Sequence, residues 1–175
     1  IEHYRRRKPH CSGTLIWQLN DCWPGVSWSV LDFYGFPKAG YHYIRRVYAP
    51  LMASFKALED GSVELWLTND LASDMTGGLT VELLDMHTGT IWHDRVSYAV
   101  ADNGSTPVWR ADADRLGASP ARVLTVRADD QAFPANRHFF TAIKDLDRPR
   151  DARPVVAIEQ AGPNAVTVKL DAPAY

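Results

Sequence analysis

Residues 53–69, ASFKALEDGSVELWLTN, decide the fold. Within them Val63, Leu65 and Leu67 alternate with Glu64, Trp66 and Thr68, the period of two that puts one set of side chains on each face of a strand. The alternation predicts Val63, Leu65 and Leu67 inward and Glu64, Trp66 and Thr68 outward, with the Trp66 indole covering part of the surface. Asp60-Gly61, just upstream, is a turn signal between this strand and Ala53 to Leu58.

Working outward, the same pattern continues toward the C-terminus. Strands are expected over Ser62–Asn69, Gly78–Asp85, Thr90–Ala99, Pro107–Ala111, Arg122–Asp129 and Arg137–Ile143. Turn signals divide them at Thr76-Gly77-Gly78, Thr88-Gly89, Asn103-Gly104, Leu116-Gly117 and Phe133-Pro134. With Ala53–Leu58 this makes seven short strands, the number of an immunoglobulin-like β-sandwich. The charged, proline-containing run KDLDRPRDARP, residues 144–154, then reads as a linker. Val155–Gln160 and Ala165–Asp171, joined by Ala161-Gly162-Pro163-Asn164, read as a hairpin opening a second sandwich over 155–175.

Upstream of residue 51 the pattern is different. Ile1 to Lys8 suits the end of a helix, its basic residues complementing the negative end of the dipole and Pro9 stopping it. Gly13 to Leu19 is almost wholly apolar, as in a strand buried on both faces. Pro37 suits a first helical position, and Tyr41, Ile44, Val47 and Tyr48 form an apolar stripe opposite Lys38, His42, Arg45 and Arg46. One helix, one strand and one helix cannot close a core, so residues 1–50 need neighbours from elsewhere. The first residue, Ile1 rather than Met, leads to the same expectation, a cut from a longer polypeptide.

Composition narrows the function. The chain has 175 residues, 19 basic and 21 acidic, for a formal net charge of −2, so no global field favours nucleic acid or a membrane surface. No apolar run approaches the roughly 18 residues of a membrane span. Arg5-Arg6-Arg7-Lys8 reads as a solvated helix end rather than a nucleic-acid patch. The two cysteines, Cys11 and Cys22, flank a segment expected to be extended, too long for a disulfide, and lack zinc-site spacing. No metal and no cofactor is expected, since phosphate-loop and dinucleotide fingerprints are absent from the sequence. Asn103-Gly104-Ser105 is a glycosylation sequon and an ordinary hairpin turn, and is read as the turn.

One stretch carries chemistry. CSGTLIWQLNDCWPGVSWSVLDFYG, residues 11–35, holds three of the six tryptophans. A strand ending in Trp17-Gln18-Leu19-Asn20-Asp21 sets an indole, two amides and a carboxylate at a carboxyl end, where parallel α/β folds place their sites. That mixture suits a sugar, whose C–H face stacks on an aromatic ring while its hydroxyls bond amides and carboxylates. The same residues also read as core tryptophans and turn-forming polar residues. Spacing leaves both readings open.

Residues 13–24, with Ser27-Trp28-Ser29, Asp32, Tyr34-Gly35, Lys38 and Tyr48-Ala49-Pro50, closely resemble the end of the catalytic barrel in β-mannosidases of glycoside hydrolase family 2. The resemblance implies a mainly β chain with a small α/β part: an immunoglobulin-like sandwich over 51–143, preceded over 1–50 by the last helix, strand and helix of a (β/α)8 barrel. It implies that Trp17 floors the subsite of the sugar being cleaved, with a cis peptide after it. Asn20, Asp21 and Trp23 carry over as rim residues of the substrate pocket, or as a loop pinning barrel to sandwich. Trp28 is assigned to packing.

Retaining glycoside hydrolysis needs two carboxyl groups, a nucleophile and an acid/base, about 5 to 5.5 Å apart. The family draws both from glutamates upstream of Ile1. None of Glu2, Glu59, Glu64, Glu82 and Glu159 stands in the family's Asn-Glu or Ser-Glu setting. No catalytic residue is therefore assigned within the chain. The expected parent is a glycosidase acting on a β-mannoside oligosaccharide, its missing N-terminal domains the chief partner, and the piece alone inactive. Two alternatives stand beside it. One is a family 2 enzyme of β-galactosidase, β-glucuronidase or exo-glucosaminidase type; the other is a non-catalytic carbohydrate- or protein-binding sandwich with Trp66, Trp92 or Trp109 as exposed anchors.

Overall fold

The structure, a computed structural model, describes residues 1–149, 155–162 and 165–171. Its order is α1 (Glu2–Arg5), α2 (Ala39–Val47), β1 (Leu51–Ala57), β2 (Val63–Asn69), β3 (Met75–Asp85), β4 (Gly89–Val100), β5 (Ser105–Ala111), α3 (Ala113–Leu116), β6 (Arg122–Ala128), β7 (Asn136–Phe139), β8 (Val155–Gly162) and β9 (Ala165–Asp171). The expected fold class is borne out: a mainly β chain with an immunoglobulin-like sandwich.

One antiparallel sheet runs β1-β2-β5 and the other β4-β3-β6-β7. Their inward faces supply the core, Phe55, Leu65 and Leu67 from one sheet and Leu79, Val81, Leu83, Leu124 and Val126 from the other. Burying an aliphatic side chain of this size is worth about 1.5–3 kcal/mol, which is why an alternating sequence holds its register. Leu116, on the α3 turn that the sequence reading did not anticipate, is also fully buried. Asp112 caps α3 by accepting the Arg115 amide at 2.8 Å.

Two expectations are corrected here. Thr68 is buried rather than outward, its hydroxyl 2.9 Å from that of Ser105 on β5, so the neighbouring strand satisfies it. Thr76-Gly77-Gly78 lies inside β3 rather than in a turn. A Cβ at Gly77 would meet the Tyr98 hydroxyl at 2.7 Å, and one at Gly78 would meet Asp129 Oδ2 at 2.5 Å. These glycines mark close approach, not chain reversal.

The basic run at the N-terminus is no solvated end. Helix α1 is shorter than Ile1–Lys8, followed by turns through His10 and a cis Lys8–Pro9 bond. Arg5 is 6% exposed and donates to Asp70 at 2.7 Å and to the Val47 carbonyl. Arg6 donates to the Phe55 carbonyl at 3.2 Å, and Lys8 pairs with Asp70 and donates to Asn103 at 2.6 Å. Asn136 of β7 donates to Ala53 O at 2.8 Å and Glu2 at 2.7 Å. Charge-assisted bonds to carboxylates and backbone carbonyls, with the Asn136 amide, thus join the first ten residues to the sandwich.

β8 and β9 form an antiparallel hairpin, as the alternation predicts. Residues 150–154 of the expected linker, Pro163-Asn164 of the hairpin turn and residues 172–175 lie outside the described residues.

Candidate functional site

Gly13 to Leu19 forms no β-ladder in this chain, and the burial expected on both faces is not found. Leu15 is fully exposed, Leu19 largely so and Trp17 78% exposed. A strand of this kind is hydrogen-bonded and covered by neighbouring strands, and among the described residues none lies beside it. The peptide between Trp17 and Gln18 is cis.

The following loop is held from within. Leu31 N donates to Leu19 O at 2.8 Å, Asp21 N to Leu31 O at 3.2 Å and Lys38 N to Val30 O at 2.9 Å. Asp32 turns the chain by accepting the amides of Tyr34 and Phe36 at 2.9 and 2.8 Å.

Asp21 stands at the centre of this loop and is 5% exposed. Its Oδ1 accepts the Ser27 hydroxyl, and its Oδ2 takes the Lys38 ammonium at 2.8 Å. Lys38 also donates to Ser29 Oγ at 2.8 Å, and Ser29 Oγ in turn donates to Leu31 O at 2.8 Å. The hydrogen bonds from Lys38 and then Ser27 hold the Asp21 carboxyl down at about 2. Both carboxylate oxygens are therefore engaged, and the group is a fixed anion tying the loop to the start of α2. Lys38, expected only on the polar side of that helix, is its N-cap residue and the cation of this pair.

The other sequence-predicted residues lie differently. Asn20 is exposed and donates to Asp21 O at 3.2 Å. Trp23 is 76% exposed, and no hydrogen bond or ring contact joins it to Trp17 among the described residues. Trp28, expected in packing, is also largely exposed, together with Val26, Tyr34 and Phe36. Asn20, Asp21 and Trp23 thus share one loop, with Asp21 inside it and the other two on its surface. Sequence reasoning missed Ser27, Ser29 and Lys38 as partners. The signal was there, since a buried aspartate in a serine-rich loop needs a cation, but nothing in the spacing specified Lys38.

The tryptophans proposed as exposed anchors of a binding sandwich are half-buried and engaged. Trp66 donates to Glu64 at 2.8 Å, Trp109 donates to Asp94 at 2.8 Å, and Trp92 packs against Trp109 with the Arg115 guanidinium 4.4 Å from its centroid. Both Trp92 and Trp109 pack on the core. No group of three or more metal-ligating side chains occurs among the described residues, and no described helix is long and apolar enough to cross a membrane.

The fold is an immunoglobulin-like sandwich, and residues 61–145 match the family described as Mannosidase Ig/CBM-like domain. The resemblance to β-mannosidases of glycoside hydrolase family 2 is borne out by the relatives that this chain matches. β-Mannosidase B of Emericella nidulans is 32% identical over 133 residues, covering 67% of this chain, and that of Aspergillus oryzae is 30% identical over 135 residues. The chain spans 16% of the length of each of these curated relatives. Among solved structures, β-D-mannosidase from Dictyoglomus thermophilum superposes over 98% of this chain and 21% of its own, with a TM-score of 0.80 at 24% identity. An exo-chitosanase from Amycolatopsis orientalis superposes over 97% of this chain with a TM-score of 0.61 at 15% identity. At these identities the superpositions speak to fold.

Proposed function

We propose that this chain is the C-terminal part of a retaining exo-β-mannosidase that releases terminal β-linked mannose, with both catalytic glutamates upstream. The observation that carries the reading is the exposed Trp17, set before an internally tied loop, in a chain whose relatives include β-mannosidases. In this reading residues 1–50 complete a (β/α)8 barrel, 51–143 are the sandwich, 144–154 link it onward and 155–175 begin another sandwich.

The roles divide by environment. Trp17 offers its indole face to the sugar in the cleavage subsite, where stacking on the apolar C–H face orients the ring for in-line attack. Asn20 and Trp23, on the loop surface, border the same pocket. Asp21 contributes as a fixed anion that holds the loop, since its oxygens are already occupied. The two missing carboxyl groups divide the chemistry, one attacking the anomeric carbon and the other protonating the leaving oxygen and later activating water.

Two measurements test this. The 175-residue chain, assayed with an aryl β-mannoside, should show no turnover above background; clear turnover would sink the reading. In the longer polypeptide, Trp17→Ala should lower kcat/KM by at least about a hundredfold, the scale on which misplacement at a reacting centre acts. Unchanged kcat/KM would remove Trp17 from the subsite.

A further inference from the structure

A second cluster of polar side chains, apart from Trp17 and its loop, lies on the outer face of the four-stranded sheet. Val81 and Leu83 of β3 point into the core, so Glu82 between them points out. Glu82 pairs in register with Thr125 of β6, and Thr125 with Arg137 of β7. Arg127, two residues beyond Thr125 on β6, shares that face. Arg46 of α2 completes the wall of a cavity of about 370 Å³ that Glu82, Thr125, Arg127 and Arg137 also line.

The charges in this cavity do not balance. Three guanidinium groups face one carboxylate, and Glu82 is already accepting the Thr90 hydroxyl at 2.5 Å. Among the described residues no ion pair reaches Arg46, Arg127 or Arg137, whereas Arg5, Arg110 and Arg115 each have one. Among the described residues Arg46 Nε is buried without an acceptor, and the Tyr43 ring lies 5.1 Å from its guanidinium. Like charges gathered without counter-charge repel, and a buried donor without an acceptor is costly. An anion with several acceptor oxygens relieves the repulsion, and the planar fork of arginine suits such oxyanions.

We propose that this cavity binds an oxyanion of the phosphate or carboxylate class, held by Arg46, Arg127 and Arg137, with the Thr125 hydroxyl as an added donor. Phosphate and carboxylate share the acceptor geometry that these arginines recognise, and the site is independent of the sugar-binding reading of Trp17.

Isothermal titration of the 175-residue chain with inorganic phosphate and, separately, malonate tests it, with chloride at matched ionic strength as control. Saturable binding of either is expected, and the tighter of the two names the class. Arg127→Gln and Arg137→Gln, each with an unchanged thermal melt, should weaken it about tenfold, the loss of one charge-assisted hydrogen bond. Arg7→Gln, on an exposed residue outside the cavity, should leave it unchanged. No saturable binding beyond chloride, or equal weakening by Arg7→Gln and Arg127→Gln, overturns the proposal. Thr125 amide shifts on phosphate addition provide a second reading that does not depend on the variants, and their absence at saturating phosphate counts equally against it.

Discussion

The sandwich and the first fifty residues satisfy their side chains by opposite means. In the sandwich, apolar residues meet one another across two sheets, and Leu65, Leu79, Val81 and Leu124 are all inaccessible to solvent. In the first fifty residues Leu15, Trp17, Leu19, Trp23, Val26 and Trp28 stay exposed, while the two most buried charged groups are paired: Asp21 with Lys38 and Ser27, Arg5 with Asp70. The difference teaches that a polar network can set a loop's shape without covering an apolar face. Burial stabilises one region, and hydrogen bonding shapes the other.

The contrast can be broken most forcefully in the sandwich. Leu65→Ala should cost about 2–5 kcal/mol in denaturant unfolding, because neighbours on both sheets cannot close the cavity it leaves. A cost below 0.5 kcal/mol would mean that the two sheets are not packed as described. Next in size, Asn69→Ala should cost about 1–3 kcal/mol. This residue is fully buried, donates to Ser73 O at 2.8 Å and Ala101 O at 3.0 Å, and accepts the Leu71 amide at 2.9 Å. Its removal strands three backbone groups.

In the first fifty residues the expected effects are local. The Asp21 carboxyl titrates at about 2 in the folded chain, below its ordinary value of 3.8. A lowered folded value means that the ion pair stabilises the loop above pH 3.8 and is lost as pH falls through about 2. The Ser27 and Ser29 amide resonances should therefore move with a midpoint near 2, and in Lys38→Met with a midpoint nearer 3.8. Equal midpoints in the two proteins would break the assignment of Lys38 as the chief partner. Smallest of all, Leu15→Ser and Val26→Ser should change the stability of this chain by less than about 0.5 kcal/mol, since both side chains are already in water. A loss comparable to that of Leu65→Ala would show that the apolar surface of this region is covered after all.

Most of the sandwich was legible in the sequence. Its seven strands were expected within a few residues of their observed bounds, because a half-buried strand must alternate and the turns between strands carry glycine, proline or aspartate. The misses have physical causes. Gly77 and Gly78 read as a turn because sequence shows the absent side chain but not the Tyr98 hydroxyl and Asp129 carboxylate that occupy its place. Thr68 read as outward because its polarity is visible and its partner Ser105, thirty-seven residues away, is not. Of the candidate site, the concentration of indole and amide in WQLNDCW was plain, and so was the resemblance it carried. That Asp21 turns inward, with both oxygens committed, was not.

By itself the sequence determined the seven strands of the sandwich, most of the turns between them and the pairing of an aromatic-rich loop with a sandwich, since these follow from local periodicity and backbone preference. Only the tertiary structure decided which polar groups meet. It set Lys38 on Asp21, Arg5 and Lys8 on Asp70, and Arg46 beside Arg127 and Arg137. The physical reason is range. Alternation of apolar residues is written into adjacent positions, whereas the value of a charge depends on what folding brings within a few ångströms of it.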